Sequence, residues 1–180
     1  MSTSPQAERL RVQVNVSGSG GANVDTGFPV LDRLLSLLAE YAEFDLVVAL
    51  SPGRAADDAA AAGGALGDEL SKHLRGQDAR GYGSAVLPAG EALAHVALEV
   101  SERPLLVSNV DLSDAKVGGL GTDVVTDFLR RLAEGAGITL HVRLIAGDQA
   151  QHVLEAMFKA LGVALSQACR PRRGRPAEQG

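Results

Sequence analysis

An α+β fold of two tandem homologous halves, each a mostly antiparallel sheet covered on one face by two helices, is what this sequence predicts. Three observations lead there. Short stretches alternate apolar and polar residues, the mark of a half-buried strand, between Gly- and Pro-bearing turns. Longer stretches space their apolar residues at helical period. Finally, "VLDRLLSLLAEYAEFDLVVALSPG" (residues 30–53) matches "VVTDFLRRLAEGAGITLHVRLIAG" (residues 124–147), with Leu38, Ala39, Glu40, Ala42, Leu46, Val48, Leu50 and Gly53 meeting identical residues. The register shifts by one residue further on, where Leu66 meets Leu161, and a period this long marks an internal duplication.

The elements follow in order. "VQVNV" and "ANVDTG" are predicted strands that open the first half, and "AVLP", "HVALEV" and "PLLVSNVDL" open the second, in both cases as hairpins that precede the helices. A helix carrying Val30, Leu34, Leu37 and Leu38 comes next, with Val124, Phe128 and Leu132 as its counterpart. Each is followed by a strand, Phe44 to Leu50 and Ile138 to Ile145, and then by a second, Ala-rich helix. The halves are assigned to residues 8–75 and 76–168, with a basic, Arg- and Pro-rich tail over residues 169–180 that has nothing apolar to bury and reads as disordered. With helices on one face only, the bare face of each sheet is expected to meet the other half or another subunit.

Composition narrows the function. The 180 residues are enough for one compact unit. Acidic residues outnumber basic ones 22 to 17 and only 3% are aromatic, which argues against a nucleic-acid surface. The lone Cys169 makes no internal disulfide, and no apolar run is long enough for a membrane span, so a cytoplasmic protein is expected. "SGSGG" and "VGGLG" complete neither a dinucleotide fingerprint nor a P-loop and read as turns, and no nucleophile elbow is present.

The last helix holds the most informative chemistry. Leu154, Met157, Phe158, Leu161 and Leu165 form its core stripe at 100° per residue, which puts His152, Glu155 and Lys159 on nearly the opposite side. An imidazole and a carboxylate one turn apart can share a metal ion with ligands from elsewhere, His141 being the obvious third, or they can simply form a solvated face. Spacing leaves both alternatives open. His73 and His95 fit structural roles.

The blocks "VDTGFPVLDRLL", "EALAHVALEVSERPLLV", "VGGLGTDVVTDFL" and "ITLHVRLIAGDQAQHVLEAMFKAL" resemble the imidazoleglycerol-phosphate dehydratase family from about Val12 to Ala168, in order and with the duplication. The resemblance implies a ribosomal protein S5 domain 2-like fold and trimer-based homo-oligomers. It also implies two manganese ions between subunits and dehydration of imidazoleglycerol phosphate to imidazole acetol phosphate in histidine biosynthesis. The family's ligands come from a His after Leu-Asp, two His-His-x-x-Glu motifs and a His on the strand before the second motif.

By that resemblance His141, His152 and Glu155 keep the family's metal-ligand residue types, with Glu155 also the catalytic carboxylate of an active member, while Gln151 replaces the first His of its motif. Arg33 stands where the His after Leu31-Asp32 is expected, and Ala56, Asp57 and Ala60 take the places of the other motif. On the substrate side Arg103, Lys159 and Glu91 match. Gly81 replaces the Arg of Arg-Phe-Gly with Arg80 beside it, and the closing Ser-x-Lys-Gly is absent.

An Arg at a metal position is a permanent cation that repels a divalent ion. The expectation is therefore a family member that has lost most metal ligands and is catalytically degenerate, binding no metal or one weak divalent ion. Two alternatives stand beside it: an active dehydratase or related lyase with one metal on His141, His152 and Glu155, helped by Asp57 or Asp58, and a non-catalytic subunit or ligand-binding module that co-assembles with an active paralogue.

Overall fold

Leu10, Val12 and Val14 alternate with exposed Arg11, Gln13 and Asn15, and the same period runs through Leu46, Val48 and Leu50, so both segments are strands with one apolar face. The computed structural model describes residues 10–50, 55–76, 78–112, 116–118 and 120–172. The first half contains β1 (Leu10–Asn15), β2 (Ala22–Asp25), α1 (Pro29–Ala42), β3 (Asp45–Leu50) and α2 (Ala55–Leu74). The second contains β4 (Tyr82–Ala89), β5 (Ala92–Val100), β6 (Leu105–Ser108), the small hairpin β7 (Lys116–Val117) and β8 (Leu120–Gly121), α3 (Thr122–Ala136), β9 (Ile138–Ala146) and α4 (Ala150–Cys169). Among the described residues no helix is long and apolar enough to cross a membrane.

The two halves repeat one topology. β3 runs antiparallel to β1 and parallel to β2, and β9 runs antiparallel to β5 and parallel to β6. β4 adds a further antiparallel strand at the β5 edge. This corrects the expected hairpins: β3 lies between β1 and β2, and β9 between β5 and β6, so of the opening strands only β4 and β5 are hairpin partners. The physical reason is that β2 and β3, like β6 and β9, are parallel neighbours, and a parallel pair needs a crossover, here α1 and α3. Leu38, Ala39 and Ala42 of α1 and the equivalent Leu132, Ala133 and Ala136 of α3 are all buried. Both helices end in a left-handed residue, Glu43 (φ 58°) and Gly137 (φ 70°), and only the second has the residue that adopts it without penalty.

The helices of each half cover their own sheet, and the halves then meet helix to helix, α1 on α4 and α2 on α3. Contact of one half's bare sheet face with the other half is therefore not what joins them. The core runs through the helix layer, with Leu31, Leu34, Leu35 and Leu38 facing Leu161 and Leu165, and Phe128 6.2 Å from Phe158 between ring centroids. Each fully buried Leu contributes about 1.5–3 kcal/mol. The outer face of the second sheet stays open and carries the exposed Tyr82, Val86, Leu105, Val107 and Ile145.

Glycines set how close the helices come. A Cβ on Gly67 of α2 would sit 2.5 Å from the Leu132 carbonyl oxygen of α3, and one on Gly162 of α4 2.5 Å from the Leu38 carbonyl oxygen of α1. The "SGSGG" loop spends its amides inside the chain: Ser19 and Gly21 N–H donate to Asp45 Oδ1, each at 3.1 Å. Residues 169–172, expected in the tail, belong to the fold. Cys169 closes α4, and Pro171 bridges to Ala79. The tail's residues 173–180 and the side chain of Ala56 lie outside the described residues.

Gly67→Ala is expected to destabilise the protein by about 1–3 kcal/mol through overpacking, although Ala is the better helix former by about 1 kcal/mol; chemical denaturation checks the sign. Backbone hydrogen bonds from Ser19 and Gly21 hold the Asp45 carboxyl below its ordinary 3.8. A depressed folded-state value stabilises above the unfolded value and is lost as pH falls through the folded one. Asp45→Asn should thus lower the thermal midpoint at neutral pH, with the gap to the parent closing below pH 3.8.

Candidate functional site

Glu91 sits at the β4–β5 turn, where Gly90 adopts φ 56° and a Cβ would run into the His152 ring, 2.6 Å from its Nδ1. The turn thus needs glycine to bring Glu91 against the start of α4. Gln149, the N-cap residue of α4, makes no side-chain cap of its own. Glu91 supplies one from another element: Oε1 accepts the Gln149 N–H at 3.2 Å and Oε2 meets His152 Nδ1 at 2.5 Å. A carboxylate is favoured at that end of a helix by the unpaired amides and the dipole. The His152 contact is the main cause holding the Glu91 carboxyl below its ordinary 4.5.

One turn further on, Glu155 faces α1. Arg33 Nε donates to Glu155 Oε1 at 2.8 Å, with the carboxylate side chain only 13% exposed and the guanidinium side chain 63%. Asp32, just before Arg33, holds the entry to α1 by accepting from Thr26 N–H (2.8 Å) and Thr26 Oγ1 (2.6 Å). Beside the ion pair lies a small cleft of about 170 Å³ walled by Val30, Leu34, Val117 and Leu154, with Gln151 at its edge. Lys159, another turn along, donates to the Pro88 carbonyl at 3.2 Å and lies 5.3 Å from the centre of the Tyr41 ring.

The face carrying His152, Glu155 and Lys159 is therefore not a solvated one. All three side chains are half-buried and engaged, to the β4–β5 turn, to α1 and to β4. The core stripe of Leu154, Met157, Phe158, Leu161 and Leu165 is buried as the spacing predicts.

The structure brings Arg33, Glu91, His152 and Glu155 together and leaves the other expected residues apart. His141 is exposed on the outer face of β9, paired in register with Ala97 and Val107, whereas α4 packs against the opposite face of that sheet. Arg103 lies in the exposed turn after β5, roughly 30 Å along the strand from Glu91 at 3.4 Å per residue. Asp57 is exposed and Asp58 half-buried in the first turn of α2. Among the described residues no three His, Cys, Asp or Glu side chains converge into a metal-holding group.

Within one chain the expected ligand positions are held apart or engaged by other side chains. Glu155 is already neutralised by a guanidinium, His152 Nδ1 is committed to Glu91, and His141 faces away from both. The sequence reading did not foresee the Glu91–His152 contact or the Arg33–Glu155 pair. The available signal was charge complementarity between two positions that the resemblance marks as ligands of a shared site.

The family model for imidazoleglycerol-phosphate dehydratase matches residues 26–165. The imidazoleglycerol-phosphate dehydratase of Desulforudis audaxviator is 40% identical over 177 residues, covering 95% of this chain and 90% of that protein. That of Acetivibrio thermocellus is 39% identical, covering 89% and 85%. Among solved structures, imidazoleglycerol-phosphate dehydratase from Staphylococcus aureus superposes with a TM-score of 0.85 at 28% identity, covering 93% of this chain and 96% of that one.

His152→Ala is expected to raise the Glu91 carboxyl toward its ordinary 4.5, read by carboxyl-carbon NMR titration. No movement would mean that the backbone amides of Glu91 and Gln149 hold it down without the imidazole.

Proposed function

The chain belongs to the imidazoleglycerol-phosphate dehydratase family, and we propose that it is a member whose metal-dependent dehydration chemistry has decayed into a site closed by its own side chains. The observation that carries this reading is the 2.8 Å contact between Arg33 Nε and Glu155 Oε1. A guanidinium cannot be deprotonated here, so it gives Glu155 a permanent counter-charge and opposes a divalent ion at contact distance. A metal ion would supply Lewis-acid chemistry to a bound imidazole, and within one chain Glu155 and His152 Nδ1 are already engaged by Arg33 and Glu91.

The substrate class attached to this reading is the phosphorylated imidazole named in the relatives, with Glu91, Arg103 and Lys159 as the substrate-facing positions. Glu91 and His152 are able to hold a proton between a carboxylate and an imidazole. His141, His152 and Glu155 are the residual ligand positions. Because His141 and the α4 pair lie on opposite sides of one sheet, they meet only across subunits. A trimer-based homo-oligomer is part of the proposal, supported by the apolar residues on the open sheet face that carries His141.

Manganese titration followed by electron paramagnetic resonance, beside a dehydration assay on imidazoleglycerol phosphate, tests the reading. The parent protein is expected to show neither stoichiometric metal nor turnover. Arg33→His is expected to tighten manganese binding by about tenfold or more, since it removes the competing cation and adds a donor. Stoichiometric manganese in the parent, with turnover abolished by Glu155→Ala, would sink the proposal in favour of an active single-metal enzyme. Native mass measurement, alone and mixed with an active paralogue, tests the assembly, and a strict monomer in both would overturn that part.

A further inference from the structure

The closing of Arg33 onto Glu155 leaves a cleft of about 170 Å³ walled by Val30, Leu34, Val117 and Leu154 and bordered by the ion pair itself and Gln151. We propose that this cleft binds a small neutral carboxamide, linear or cyclic, whose apolar group fills the slot and whose amide edge docks on the ion pair. This rests on the reading of a site closed by its own side chains, since it needs Arg33 and Glu155 to be each other's partners. The ligand differs from the phosphorylated imidazole: a phosphate needs counter-charge, and the only cation among the lining residues is already neutralised.

The walls set the size of the ligand and the apolar character of its body. Val30 and Leu34 come from α1, Leu154 from α4 and Val117 from β7, so three elements close around the slot. Leu34, Leu154 and Val117 are buried in the core. Gly118, at φ 56°, lets β7 approach α1 closely: a Cβ there would lie 2.4 Å from Val30 Cγ2. The slot is therefore preformed, and an apolar cavity of roughly 150 Å³ takes a single benzene-sized ring.

The ion pair sets the polar half. It uses only Arg33 Nε and Glu155 Oε1. Both Nη groups of Arg33, and Glu155 Oε2, have no hydrogen-bond partner among the described residues, which leaves donors and an acceptor side by side. They are within reach of a ligand: the guanidinium side chain is 63% exposed, and Oε2 is not among the buried atoms that lack a partner. The pair is neutral as a whole, so an ionic ligand would lose hydration with no net counter-charge to replace it. A carboxamide supplies what is missing, because from one edge its N–H donates to a carboxylate oxygen while its C=O accepts from a guanidinium. Exposed Gln151 adds a neutral amide at the rim.

NMR titration of the isotope-labelled full chain with benzamide, benzoate and benzamidine, probes of one shape and different charge, tests this. Benzamide is expected to saturate, with shifts at Val30, Val117 and the Arg33 Nε–H, and to bind about tenfold or more tighter than either ion, the cost of an uncompensated charge. Glu155→Gln makes the cleft cationic and is expected to put benzoate ahead of benzamide, and Arg33→Gln to put benzamidine ahead. Loss of fold produces neither inversion. Lys72→Gln, which removes an exposed charge on α2 that does not line the cleft, should leave benzamide affinity within about twofold. Imidazole is expected to bind more weakly than benzamide, and the reverse order would overturn the proposal. So would benzamide that fails to saturate, or probes that rank alike in the parent and both charge variants. Manganese separates the two readings. Stoichiometric manganese that displaces benzamide would overturn the closed site, whereas no benzamide binding in a protein that takes no manganese would overturn the carboxamide proposal alone.

Discussion

Backbone contact between helices at glycine is the constraint on which this architecture rests. Gly162 lets α4 lie against the Leu38 carbonyl of α1, and Gly67 lets α2 lie against the Leu132 carbonyl of α3. With no side chains to hold the axes apart, the four helices collapse into one apolar layer between two sheets. The duplication is then more than a repeated sequence, because each half's helices supply the core that the other half lacks.

The same closeness decides the electrostatics. Arg33 and Glu155 are 122 positions apart in sequence but sit on helices that touch, so a cation and a carboxylate with few other options find each other. The β4–β5 turn closes the start of α4 in a comparable way, through a glycine that makes room for the His152 ring and a carboxylate that caps the helix. An ion pair with one partner largely exposed contributes little, about 0–1 kcal/mol. Its consequence here is chemical: the pair presents Glu155 already neutralised. At the opposite end of α4, main-chain amides of the segment before β4 serve the helix-terminal carbonyls.

Much of this was legible in the chain. The alternation in β1, β3, β5 and β9, the core stripe of α4 and the repeat itself all depend on local period, and local period survives folding. The blocks around Arg33, Glu91, His141 and Glu155 were enough to mark the family. Strand order was not legible. Whether β2 pairs with β1 or with β3 turns on α1 acting as a crossover, a property of chain direction in space and not of any strand's composition. The faces of His141 and His152 were likewise hidden, because each residue's pattern is set by its own element and says nothing about which side of the shared sheet that element covers.

By itself, then, the sequence determined the elements, their duplication and the family. Each of these is carried by residue identity or by spacing within one element. Only the tertiary structure decided that His152, Glu155 and Lys159 are engaged and not solvated, that Arg33 closes on Glu155, and that Arg80 meets Arg170 backbone to backbone. These are contacts between elements distant in sequence, and they follow from the helix–helix approach and the zipping of two backbone segments, which no local pattern encodes.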